Sequence, residues 1–170
     1  MLEVIKGRYS VRRFKPRDIP EEMVQAMLEA ARWAPTAGNL QPWFFYVVRG
    51  REHREALSSF ALNQRFVARA PLCFVVCAEP ERSAKVYGGR GKDLYSIQDT
   101  AAAVQNILLA AVGLGLGGCW VGAFDEEKVR DYLKMPPYRR PVAIIPVGYP
   151  DDEGRGRPGR REIREITQFL

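Results

Sequence analysis

The spacing of apolar residues changes several times along this chain, and each change marks an element. A short amphipathic helix closes over residues 4–7. The triplet Pro20-Glu21-Glu22 opens a second helix, with proline in the first turn and acids at the positive end of the dipole. Met23, Met27, Leu28, Ala30 and Ala31 then recur at helical spacing, and Pro35 stops the run. Residues 44–48 are apolar and aromatic and read as a strand ended by an Arg49-Gly50 turn. Helical spacing returns over 52–60 and 63–69, followed by a buried strand at 71–78. From 79 to 95 the pattern dissolves among Pro80, Gly88, Gly89 and Gly91, which predicts a mobile surface loop. Residues 97–112 predict a long helix, apolar nearly all round and so central, with its polar members Gln98, Asp99, Gln105 and Asn106 near its ends. A strand over 117–121, a helix capped by Asp125 and running to 133, a strand over 141–148 and a last edge or swapped strand over 163–170 complete the pattern. Strands alternating in this way with buried helices indicate an α+β sandwich.

With 170 residues and a 46% apolar share, the chain is long enough for one domain with a proper core. It shows no internal repeat and no dividing linker, so 1–170 is expected to be one domain. No apolar run approaches the ~20 residues of a bilayer span, and the N-terminus lacks the pattern of a signal peptide, so a cytoplasmic location with no membrane partner is expected. Three cysteines argue against a disulfide framework, and with a single histidine, His53, no metal site is expected. The formal charge of +6 raises the question of nucleic acid. The basic residues are scattered, concentrating only over 155–164, and no nucleic-acid-binding motif is visible, so no nucleic-acid partner is expected.

Candidate chemistry concentrates in three segments. In Arg8-Tyr9-Ser10-Val11-Arg12-Arg13, an extended chain would put Arg8, Ser10 and Arg12 on one side. Two guanidiniums and a hydroxyl there suit a phosphate, although a solvated basic strand has the same composition. Between Trp33 and Trp43 lies Pro35-Thr36-Ala37-Gly38-Asn39-Leu40-Gln41-Pro42. Asn39 and Gln41 each carry a donor and an acceptor on one plane, and in an extended segment both would face the same planar ligand. Gly118-Cys119-Trp120-Val121-Gly122-Ala123-Phe124 has the small residues that a close backbone approach to a ligand requires. Two other glycine clusters mislead. Gly113 to Gly118 meets the spacing of a dinucleotide fingerprint but follows a helix and precedes a strand, the reverse of the required order, so it is read as a helix cap and turn. Gly88-Gly89-Arg90-Gly91-Lys92-Asp93 lacks the first glycine and the Ser or Thr of a P-loop.

Together the Arg8 segment and the Pro35–Trp43 loop resemble the N-terminal signature of the FMN-dependent nitroreductase family, and 118–124 resembles that family's ring-edge turn. The resemblance covers about 1–49, 95–124 and 141–161, while 50–94 carries only generic pattern. It implies a nitroreductase-like three-layer α/β/α sandwich with a central mixed, mostly antiparallel sheet, assembled as a homodimer. It implies FMN held by Arg8, Tyr9, Ser10, Arg12, Pro35, Thr36, Ala37, Asn39, Gln41, Val121, Gly122, Ala123, Arg160 and Arg161. In that set Arg12 supports the flavin N1/O2 edge, and the choice among Arg157, Arg160 and Arg161 for phosphate stays open. The loop carrying Asn39 and Gln41 would come from the partner subunit. NADH or NADPH would supply hydride to flavin N5, and a nitroaromatic, quinone or similar acceptor would leave with it in a ping-pong cycle. Alternatives within the resemblance are a flavin-fragmenting or dehalogenating relative, and outside catalysis a flavin- or nucleic-acid-binding protein.

Overall fold

Strand β2 (Leu72–Ala78) is buried at all seven positions, and its alternation feeds two separate cores. Leu72, Phe74 and Val76 point into one, and Cys73, Val75 and Cys77 into the other. A strand with apolar side chains on both faces must be covered on both sides. The computed structural model, which describes residues 1–151 and 159–170, shows how. Helices α2 (Glu21–Arg32) and α6 (Ser96–Gly113) cover the first face through Val24, Met27 and Ala31 and through Val104, Ile107, Leu108 and Ala111. Helices α3 (Arg51–Phe60), α4 (Arg65–Arg69) and α7 (Glu126–Tyr132) cover the second through Leu57, Val67 and Val129. Helix α1 (Leu2–Gly7) precedes them and buries none of its residues.

The sheet has the order β1-β2-β4-β3, with β1 spanning Trp43–Val48, β3 Gly117–Gly118 and β4 Arg140–Gly148. All three pairings are antiparallel, and the parallel component is a bridge between Ser10 and Gly118 at the β3 edge. The expected strand over 117–121 is therefore a two-residue ladder followed by an isolated bridge from Val121 to Ile144. The glycine-rich turn before it is a helix end, as its order required: Gly115 takes a φ of 74° just past α6. Gly117 has a packing reason to lack a side chain, since a Cβ there would stand 2.4 Å from Val11 Cγ2.

Two expectations are corrected. Residues 79–95 are not a loop: α5 (Pro80–Arg90) starts on Pro80, reverses at Gly88 (φ 56°), and leads through a π-helical turn, Gly91–Tyr95, into α6. The glycines that broke the pattern make this reversal and let Gly91 pack on the backbone of Ser83, where a Cβ would overlap the carbonyl. A Lys92–Glu81 ion pair (2.6 Å) ties the two limbs of the segment together, and Arg139–Glu79 (3.0 Å) ties its start to the sheet. Nor do residues 163–170 form a strand. A 3-10 turn, Ile163–Glu165, closed by a capping box between Glu162 and Glu165, is followed by irregular chain that is exposed throughout. An edge strand needs a neighbouring strand to pair with, and among the described residues of its own chain this segment has none; a swapped strand would pair with a second copy.

Candidate active site

The Arg8 segment enters beside β3. Val11 donates its N–H to the Gly118 carbonyl at 3.1 Å and is buried, while Ser10 and Arg12 stay at the surface. The expected alternation holds from Arg8 to Arg12. It fails at Arg13, which is exposed and pairs loosely with Asp151 at 3.9 Å. Tyr9 packs against the second core, and Arg12 rests its guanidinium 5.7 Å from the Phe66 ring centroid. The bridge from Ser10 to Gly118 and the Val11–Gly118 hydrogen bond bring Arg8, Ser10 and Arg12 beside Cys119, close enough for both guanidiniums to act on its thiol, whose Sγ donates to the Trp120 carbonyl at 3.8 Å. Burial pushes that thiol up, and the Arg12 guanidinium beside it offsets part of the rise. The result is a compact cationic donor set at one sheet edge, with a neutral thiol at its floor.

From Cys119 the chain runs along the same edge. Val121 is buried on Ile144, and Gly122 and Ala123 come to the surface. A Cβ at Gly122 would meet nothing nearer than Trp120 Nε1 at 3.9 Å, so this turn leaves its backbone open. It is tethered from below by the Gln64 side chain, 3.4 Å from the Ala123 carbonyl, and by Asp125 N–H on the Phe60 carbonyl.

The Pro35–Gln41 loop is folded differently from the expected extended segment. Ala37–Asn39 is a 3-10 turn, and Gly38, Asn39 and Gln41 have φ values of 57°, 56° and 51°. The two carboxamides nevertheless meet, because Gln41 Nε2 donates to Asn39 Oδ1 at 3.1 Å. They do so through left-handed backbone, which Gly and Asn tolerate, rather than through alternation. A sequence pattern could not reveal what holds the loop. Thr36 Oγ1 donates to Asp99 Oδ2 at 2.8 Å, and Ala37 N–H lies 3.2 and 3.3 Å from the two Asp99 oxygens. Gln41 N–H in turn donates to Thr36 Oγ1 at 3.0 Å. Asp99 is 63 residues from Thr36 in sequence, so only the packing of α6 on α2 joins them. Tyr87 of α5 is a second missed contact, its hydroxyl lying over Gly38 where a Cβ would stand 2.6 Å away.

Arg160 and Arg161 lie on the exposed C-terminal segment, where Arg161 is engaged with Glu165 of its own turn. Arg157 lies outside the described residues.

The two candidate groups occupy opposite parts of the chain. Trp43, which follows the loop, opens the edge strand β1 and pairs with Ala78, whereas Ser10 lies on the far edge beside Gly118. Edge to edge is three inter-strand steps of ~4.8 Å each. The helix gives a second measure: Asp99 holds the loop near the start of α6, and β3 follows its end, so at ~1.5 Å per residue they stand about 20 Å apart.

A family model described as the nitroreductase family matches residues 5–64 and 56–149. The chain belongs to the nitroreductase family. It is 36% identical over 167 residues to a protein of Methanothermobacter thermautotrophicus provisionally named NADH dehydrogenase/NAD(P)H nitroreductase, covering 96% of this chain and 82% of that one. It is 30% identical to the oxygen-insensitive NADPH nitroreductase of Salmonella typhimurium, over 92% of this chain and 68% of the relative. Among solved structures, an FMN-dependent nitroreductase of Clostridium difficile superposes with a TM-score of 0.85 at 28% identity, covering 99% of this chain and 98% of the other. The three-layer arrangement is thus the nitroreductase fold.

Proposed function

We propose that this nitroreductase-family chain is an FMN-dependent NAD(P)H oxidoreductase whose flavin lies between two copies of the chain. The observation that carries this reading is the convergence of Arg8, Ser10 and Arg12 at the sheet edge that also bears the open Gly122–Ala123 turn. This donor set fits the group. A guanidinium and a hydroxyl bind a phosphate monoester dianion with charge-assisted hydrogen bonds, a second guanidinium suits the ring edge where negative charge develops, and a side-chain-free turn admits a flat ring edge. When bound, FMN supplies the two-electron chemistry between NAD(P)H and an acceptor.

The chain's own residues bind and orient. Arg8 and Ser10 hold the phosphate. Arg12, its guanidinium supported on Phe66, provides fixed positive charge where negative charge develops on the ring. The backbone N–H groups of Gly122 and Ala123 orient the reactive edge. Asn39 and Gln41, which already bond one another, present their remaining donors and acceptors to the ring from the second copy. Two observations support the second copy: the separation of the two groups within one chain, and exposed apolar side chains. Trp33 is 73% exposed beside the loop, and Ile163, Ile166 and Phe169 are 74%, 62% and 92% exposed on the C-terminal segment. An exposed set of this size is ordinarily covered by a partner. Nitroaromatics, quinones or similar planar acceptors, reduced in a ping-pong cycle, follow from a site that needs only positioning.

The test is the visible spectrum of purified protein reconstituted with FMN, before and after anaerobic NADH and NADPH. A flavin band that bleaches with either nucleotide and returns on adding a nitroaromatic or quinone is expected. Protein that takes up FMN but never bleaches would leave a flavin-binding module and remove the enzymatic reading.

A further inference from the structure

Asp99 is 7% exposed, and the hydrogen bonds it accepts all come from the loop that carries Asn39 and Gln41. A buried carboxylate is retained only where its oxygens are well used. Here the use is directional. Gln41 N–H donates to Thr36 Oγ1, whose single proton goes on to Asp99, and Ala37 N–H closes the other side. The four positions 38–41 include three left-handed residues, two of them not glycine, a backbone that relaxes unless its surroundings over-determine it. Seven residues further along the same face of α6, Asn106 Nδ2 donates to the Ala30 carbonyl at 2.8 Å, near the end of α2. Helix α6 thus clamps both the end of α2 and the start of the loop that follows it.

Resting on the flavin-site reading above, we propose that Asp99 is a positioning residue. It does not touch the flavin itself; through Thr36 and Ala37 it fixes the strained loop so that the Asn39 and Gln41 carboxamides stand in their ligand-binding geometry. Its contribution to cofactor affinity is therefore expressed wholly through those two side chains.

The test is FMN titration of the apoprotein, followed by flavin fluorescence, over a cycle of variants. Asp99→Ala removes charge-assisted bonds and is expected to weaken FMN binding about tenfold to a hundredfold. Asp99→Asn keeps one oxygen for Thr36 and is expected to recover affinity to within about threefold of wild type. In the Asn39→Ala/Gln41→Ala background, Asp99→Ala is expected to change FMN affinity no further. A general structural defect would add to the loss there instead, and such additivity overturns the proposal. Unchanged binding by Asp99→Ala also overturns it. Should Asp99→Ala fail to fold, Asp99→Ser, which shortens the side chain out of reach of Thr36 and Ala37 while keeping a polar group there, enters the same cycle with the same criteria. Wild-type protein that takes up no FMN removes the site reading and the role of Asp99 with it. Wild-type binding with indifferent Asp99 variants removes the role of Asp99 alone.

Discussion

Arg12 combines the roles that single side chains play in this site. Its exposed guanidinium lies 5.7 Å from the Phe66 ring centroid and beside the Cys119 thiol, which biases it toward this sheet edge. Arg12→Ala should weaken FMN binding about tenfold or more and slow flavin reduction by NAD(P)H in stopped flow; full colour and full rate would refute its assigned role. The other two cysteines behave oppositely to reactive thiols. Burial pushes Cys73 and Cys77 up to about 12. With folded pKa values above the unfolded ones, both stay protonated at pH 8, where unfolded thiols are partly ionised. Alkylation at pH 8 should therefore modify them at least about tenfold more slowly in native than in urea-unfolded protein, and equal rates would contradict their burial. The arginines and Ser10 were legible because buried Val11 between them imposes alternation. The carboxamides were legible as a pair, but their backbone was not, since left-handed φ at a non-glycine residue leaves no period to read. Asp99 was legible only as a polar residue near a helix end; its partners are set by tertiary packing.

At the scale of elements, strand and helix placement followed the apolar periods wherever one face was dry. β2 and α6 showed the strongest patterns, and both lie at the centre of the fold. The segment from Pro80 to Tyr95 was misread because its glycines act by allowing a reversal and a close helix contact, not by loosening the chain. Amide exchange should separate these readings: protection over 80–95 resembling that of α3 is expected, and loop-like exchange would contradict the helical segment. The seating of the Arg8 segment gives a sharper prediction. Gly117→Ala would press a methyl onto Val11 and should cost about 1–3 kcal/mol of stability, much of it recovered by Val11→Ala in the same chain. Additive losses in the double variant would mean that the segment is not packed there. Phe74 is fully buried at the sheet centre, and Phe74→Ala should cost about 3–5 kcal/mol in denaturant unfolding.

At the scale of the whole molecule, the chain carries two separate candidate groups, which the proposed function assigns to two different flavin sites. Cationic donors and the open turn occupy the β3 edge, and the carboxamide loop leads into the start of β1, held by Asp99 near the start of α6. The sequence supplied both halves in order but could not show how far apart they lie, because separation depends on strand order and on the length of α6. Nor did it supply the end state of 163–170, whose apolar residues are exposed among the described residues. A dimer that completes each site from two chains accounts for both facts. The most direct measurement is FMN stoichiometry in a heterodimer of one Arg12→Ala chain and one Asn39→Ala/Gln41→Ala chain, purified by two different tags. Sites built across the subunits leave one pocket intact and one doubly broken, so about half a flavin per chain should bind with near wild-type affinity. Sites built within each chain leave both pockets damaged, and a heterodimer without any wild-type-affinity flavin would contradict the account.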